Sequence, residues 1–117
     1  WIGTVHPGNR PHLMPNWGAW VDDRFFFSTD PSTRKGRNLE GNAHISVGIQ
    51  DEQHTIIIEG VTARATDRAL LSRIADEYER KYGMREGEEG VYVVLPLKVI
   101  ALADFPNTPT RWVFETT

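Results

Sequence analysis

Arg34 and Lys35 follow Asp30-Pro31-Ser32-Thr33, where the chain turns from an apolar strand into a short helix. Cations are out of place in an opening helical turn, because the positive end of the helix dipole favours acids there. A bound anion would reverse that penalty. The N–H groups of the first turn, the hydroxyls of Ser32 and Thr33, and the two cations together have the chemistry of a phosphate cradle. A solvated basic face is the alternative reading, and on charge spacing alone it is the commoner outcome.

The elements that must position this group can be read outward from it. The helix takes Asp30 as its N-cap, Pro31 in its first turn and Gly41 as a left-handed exit. It is entered from the strand Arg24-Phe25-Phe26-Phe27-Ser28. Upstream lie a weakly alternating strand, Trp1 to Val5, a His6-Pro7-Gly8-Asn9-Arg10 turn, and a second strand from Pro11 to Val21 in which Pro15 marks an irregularity. Asp22-Asp23 makes a tight reversal, and these three strands read as an antiparallel meander.

Downstream, Ile45, Val47 and Ile49 alternate along one strand face, and Gln50 to Gln53 is a polar turn. The next strand, Thr55 to Ala63, carries Gly60 as a bulge or a close approach of another backbone. Asp67 to Tyr82 is an amphipathic helix with Leu70, Leu71, Ile74, Ala75, Tyr78 and Tyr82 on its core face, ended by Gly83. An acidic loop containing Glu88 and Glu89, a strand from Val91 to Leu102 interrupted at Pro96, and a last strand from Thr110 to Phe114 complete the chain. Short hairpin spacing without a βαβ period predicts a closed antiparallel barrel of six to seven strands with two peripheral helices.

The 117 residues, 39% hydrophobic and 25% charged, describe one soluble domain spanning residues 1–117. With no cysteine, disulfides, thiolate zinc sites and a thiol nucleophile are excluded. A net charge of −3 argues against nucleic acid as the main partner, so the basic cluster at 34–37 is sized for one small anion. No signal peptide or membrane-length apolar run is present, which predicts a cytoplasmic protein without membrane contact. The first residue is Trp1, so an N-terminal extension is expected to be missing.

The histidines, His6, His12, His44 and His54, have no metal-ligand spacing, and no metal is expected. No G-x-S-x-G or G-x-G-x-x-G pattern supports a hydrolase or dinucleotide site. Catalytic side chains are therefore not singled out. The stretch Arg10 to Trp20 mixes aromatics, Met14, Pro15 and Asn16; a strand broken at a proline leaves backbone groups that a flat polar heterocycle can satisfy. An ordinary core strand is the alternative.

Taken in order, Arg10-Pro11-His12-x-x-Pro15-x-Trp17, the Phe-rich strand, Ser32-x-Arg34-Lys35-x-x-Asn38-Leu39-x-x-Asn42, the Ile56-Ile57-Ile58-Glu59-Gly60 strand and Thr110-Arg111-Trp112 resemble the pyridoxamine 5′-phosphate oxidase-like superfamily. The resemblance covers nearly the whole chain. It implies a flavin-binding split β-barrel, mainly β, with the cofactor at a homodimer interface. Arg34 and Lys35 then match the basic pair on the cofactor phosphate, with Ser32 beside them, and Phe27 and Ser28 match the strand end leading there. His12, Leu13, Met14, Pro15, Asn16 and Trp17 match the strand lining the ring and ribityl chain, with His12 standing where the oxidase has an arginine and Trp17 near its lysine. Thr55 falls where the second subunit offers a glutamine, and Trp112 would cover the ring from the partner chain.

The arginine and histidine that bind substrate in true pyridoxamine phosphate oxidases have no clear counterpart in this ending, so vitamin B6 metabolism is not expected. The Lys35-x-Arg37-Asn38-Leu39 run also looks like the branch that uses the deazaflavin coenzyme F-420, whose acidic tail Arg37 could meet. The expected function is an oxidoreductase that moves hydride between bound FMN or F-420 and a small organic substrate. A carrier or sensor that holds a flavin or tetrapyrrole without turnover is the second expectation, and an interaction domain whose basic helix meets an acidic protein is the third.

Overall fold

The computed structural model describes residues 1–51, 54–85, 90–104 and 107–114. The strands are β1 (Ile2–His6), β2 (Arg10–Met14), β3 (Ala19–Val21), β4 (Arg24–Ser28), β5 (His44–Asp51), β6 (His54–Arg64), β7 (Val91–Asp104) and β8 (Asn107–Val113). Helix α1 (Arg34–Gly41) lies between β4 and β5, and α2 (Arg68–Tyr82) between β6 and β7. All strand pairs are antiparallel in one sheet of order β2-β1-β5-β6-β7-β4-β3, with β8 on β7.

The sheet curls on itself. Ile2 of β1 and Phe25 and Phe27 of β4 stand four places apart in the strand order, yet they share one buried cluster with Leu39, Ile45, Val47, Ile58, Tyr92 and Val94. This is the barrel interior. A second cluster lies outside it, where Ile74 and Tyr78 of α2 cover Ala19, Phe26, Val91 and Val93. Phe25, Phe26 and Phe27 therefore form an apolar run because β4 is covered on both faces.

The mainly β split barrel with two helices is as expected, but the described residues form eight strands instead of six or seven. The segment from Pro11 to Val21 is two strands, not one. Pro15 cannot donate to a ladder, and residues 15–18 leave the sheet. The meander is overturned for the same reason: β2 pairs with β1 at one edge and β3 with β4 at the other. The Asp22-Asp23 reversal holds, with both residues at positive φ (53° and 60°). Gly60 fulfils both of its readings. The β6–β7 register shifts between Glu59 and Gly60, and a Cβ at Gly60 would run into the Leu95 carbonyl.

Helix α2 starts and stops where predicted: the Asp67 side chain accepts from Leu70 N, and Gly83 closes the helix at φ 77°. Helix α1 does not. Its N-cap is Thr33, three residues beyond Asp30, and its exit is extended at Asn42, with no left-handed residue at Gly41. Asp30 spends its carboxylate on a local turn, accepting from Ser32 N at 2.9 Å and Ser32 Oγ at 2.8 Å. Among the described residues no helix is long and apolar enough to cross a membrane. The Glu88-Glu89 pair and part of the Gln50 to Gln53 turn lie outside the described residues.

Candidate functional site

The Thr33 side chain sets the entrance of α1, accepting from Gly36 N at 3.1 Å and donating to Asp30 O at 2.7 Å. Gly36 is required by contact: an added Cβ would sit 2.5 Å from Asp30 O and 2.7 Å from Pro31 Cα. The helix thus begins pressed against its own approach, and Arg34 and Lys35 occupy its first two positions with no acid in the first turn. Their N–H groups have no intrahelical acceptor. The hydroxyls assigned to the cradle are already engaged, Ser32 with Asp30 and Thr33 with the cap. The group that remains for an anion is the cation pair and the helix N-terminus.

Lys35 is only 9% exposed. Its ammonium donates to Asn16 Oδ1 at 2.5 Å, and the ion pairs among the described residues use other cations. Burial alone pushes its pKa below 10.5, with no carboxylate compensating. A buried ammonium with a neutral partner keeps two further donors, and an anion could accept from them.

Asn16 belongs to the connector between β2 and β3, and that connector is held from several sides. Asn16 Nδ2 donates to Trp17 O at 2.7 Å and to Ser28 O at 3.3 Å. The Tyr78 hydroxyl of α2 donates to Trp17 O at 3.0 Å and accepts from Ser28 N at 3.1 Å. One turn on, the Tyr82 hydroxyl meets Gly18 N and O at 3.1 and 3.0 Å, Lys81 Nζ donates to Gly18 O at 3.0 Å, and the Tyr82 ring stacks on Trp17 at 4.3 Å. The expectation that Tyr78 and Tyr82 are core residues holds for their rings. It misses their hydroxyls, for which the available signal was two tyrosines, i and i+4, on a face that leucine or phenylalanine would fill equally well.

The structure therefore brings Asn16, Trp17, Ser28 and Lys35 into one hydrogen-bonded group, while Arg34 is the first residue of α1 and Ser32 precedes its N-cap. The other expected contacts are dispersed. His12 and Leu13 line a cleft of about 530 Å³ bordered by His44, Ser46 and Glu59. Asn16 lines another, of about 590 Å³, with Trp1, Trp20, Phe25 and Tyr82 around it. Arg37 faces a smaller cavity under the β1–β2 turn, and Trp112 lines an apolar slot with Trp20, Ile58, Val99 and Phe114. Leu13, Met14 and Pro15 are exposed. Phe27 is the exception within the set: its side chain is fully buried and stacks on Tyr92, so it presents no side-chain surface to a ligand.

Three buried polar side-chain atoms find no partner among the described residues: His12 Nδ1, Thr55 Oγ1 and Asn38 Oδ1. The first two belong to residues expected to touch a cofactor. Asn38 is an internal strut, its Nδ2 donating to Thr4 Oγ1 at 3.0 Å and tying α1 to β1. No cluster of three or more His, Asp or Glu suited to a metal occurs among the described residues.

The sequence matches the profile of the pyridoxamine 5′-phosphate oxidase family over residues 1–103. No curated protein sequence matches it. Among solved structures, a conserved hypothetical protein from Mycobacterium tuberculosis superposes with a TM-score of 0.70 at 19% identity, covering 86% of this chain and 74% of that one. A heme-binding protein from Mycobacterium smegmatis gives 0.75 at 13% identity, over 96% of this chain and 51% of the other. An F-420 reductase gives 0.65 at 19% identity, over 84% and 85%. At such identities these likenesses speak for the shared fold.

Proposed function

The chain belongs to the pyridoxamine 5′-phosphate oxidase family, and from that premise we propose that it is a single-domain, homodimeric oxidoreductase that binds FMN or coenzyme F-420 and acts on a small organic substrate. The observation that carries the reading is Lys35: a buried ammonium, paired among the described residues only with the Asn16 amide, at a helix N-terminus that lacks the usual acid. Leaving a buried cation without an anion costs about 1–3 kcal/mol or more. A phosphoryl group supplies the missing charge, accepts from the helix N–H groups and suits a second cation, Arg34.

On this reading Lys35 and Arg34 hold the phosphate, Asn16 aims Lys35, and the exposed Leu13-Met14-Pro15 edge and Trp17 lie along the ribityl chain and ring. The bound cofactor supplies hydride chemistry; this chain supplies binding, orientation and exclusion of water. His12 Nδ1 and Thr55 Oγ1, buried without partners among the described residues, are the polar groups that a cofactor and a second subunit would satisfy. Dispersal of the expected contacts over separate clefts fits a site completed by a partner protomer. Arg37, on its own cavity, would meet the acidic tail of F-420, and Trp112 would act from the partner chain.

A carrier that binds without turnover shares the anchor and differs in chemistry. The test is a visible-absorption titration of the protein with FMN and with F-420, followed by reduction of the bound cofactor and addition of quinone-type acceptors. Saturable binding and reoxidation faster than by oxygen support the enzyme. Binding with reoxidation by oxygen alone supports the carrier, and no binding of either cofactor overturns the proposal.

A further inference from the structure

Resting on the reading that Lys35 grips a phosphoryl group, we propose that Tyr78 is a positioning residue that sets the aim of that lysine, acting through Asn16. The argument begins with the amide. Asn16 Nδ2 points at two carbonyls, those of Trp17 and Ser28, and carbonyls can only accept. A flipped amide would set Oδ1 against both carbonyls and Nδ2 against an ammonium. The two carbonyls therefore fix Oδ1 on Lys35, and Lys35, on a flexible four-carbon stem, is held where that oxygen is.

Tyr78 ties the two carbonyl-bearing residues to each other. Its hydroxyl donates to Trp17 O and accepts from Ser28 N, so one oxygen staples the β2–β3 connector to the end of β4. Its ring is 1% exposed and packed among Ala19, Phe26, Ile74 and Val93, which makes the staple rigid. Phenylalanine would fill the same space; the hydroxyl is the part that packing does not need. Tyr82 provides an internal control, since its hydroxyl engages Gly18, which makes no bond to Asn16 or Lys35 among the described residues.

The experiment compares wild type, Tyr78→Phe and Tyr82→Phe for binding of FMN against riboflavin, and of F-420 against its phosphate-free nucleoside, at a temperature where all three remain folded. Tyr78→Phe is expected to weaken the phosphorylated ligands about three- to tenfold, the worth of one neutral hydrogen bond, and to leave the phosphate-free ones unchanged. Tyr82→Phe is expected to spare both, although each variant loses stability. In an Asn16→Ala background Tyr78→Phe should add nothing further. Unaltered FMN and F-420 affinity in Tyr78→Phe, equal losses with and without phosphate, or additive losses in the Asn16→Ala background would overturn the inference. Wild type that fails to prefer the phosphorylated forms would instead overturn the Lys35 reading on which it rests.

Discussion

The two helices of this protein follow opposite rules. Helix α2 has an acid at its N-cap, Arg80 and Lys81 in its last turn, a left-handed glycine to stop it and an apolar face sunk into a core of its own. Each feature lowers the free energy of the helix. Both helices open on an arginine with no acid in the first turn, but α1 is shorter, is capped by the neutral Thr33, has no base in its last turn and buries a lysine at its second position. Local rules and global fold agree in α2 and conflict in α1, and such conflicts persist where function maintains them. On the proposed reading α2 serves stability and holds the connector, whereas α1 presents charge to a ligand.

Substitutions can break that contrast or sharpen it. The largest effect is expected in α2: Ile74→Ala, at a fully buried position, should lower stability by about 2–5 kcal/mol in denaturant unfolding. At temperatures where the variant remains folded, its cofactor affinity should fall by no more than the roughly three- to tenfold expected from loosening the Tyr78 staple. A loss of about a hundredfold there would mean that the division of labour between the helices is wrong. The next effect is expected in α1. Lys35→Met removes the buried charge, so the cofactor-free protein should keep its stability or gain some, while affinity for FMN or F-420 falls about tenfold or more. A destabilised variant with intact affinity would make Lys35 a structural residue like those of α2.

Much of this was legible from the sequence, and the gaps have physical causes. Helix α2 and its caps were plain because they obey periodicity and capping chemistry, and Gly60 was plain because only glycine admits the Leu95 carbonyl so closely. The start of α1 was misplaced because Asp30 and Thr33 are both good caps, and the choice fell to the packing of Gly36 against Asp30 and Pro31. The split of the second strand was half visible, since Pro15 marks the break but not where each half goes. In the candidate site the Arg34 and Lys35 pair stood out by its misplaced charge. Lys35's burial, its bond to Asn16 and the grip of Tyr78 on Trp17 and Ser28 bring together residues 19 to 61 positions apart, and no local pattern encodes them.

The central claim is that Lys35 is a buried cation waiting for a phosphoryl group, and its own titration tests this most directly. In the cofactor-free protein its pKa lies below 10.5 because of burial. The unfolded chain therefore binds more protons than the folded one between that lowered value and 10.5, and the charge penalty on stability is relieved as pH rises through this window. An anion on the ammonium reverses the shift. Nitrogen-15 NMR of the Lys35 ammonium should show its pKa rise when FMN or F-420 saturates the protein and stay put with riboflavin. A Lys35 pKa indifferent to saturating FMN and F-420 would contradict the account.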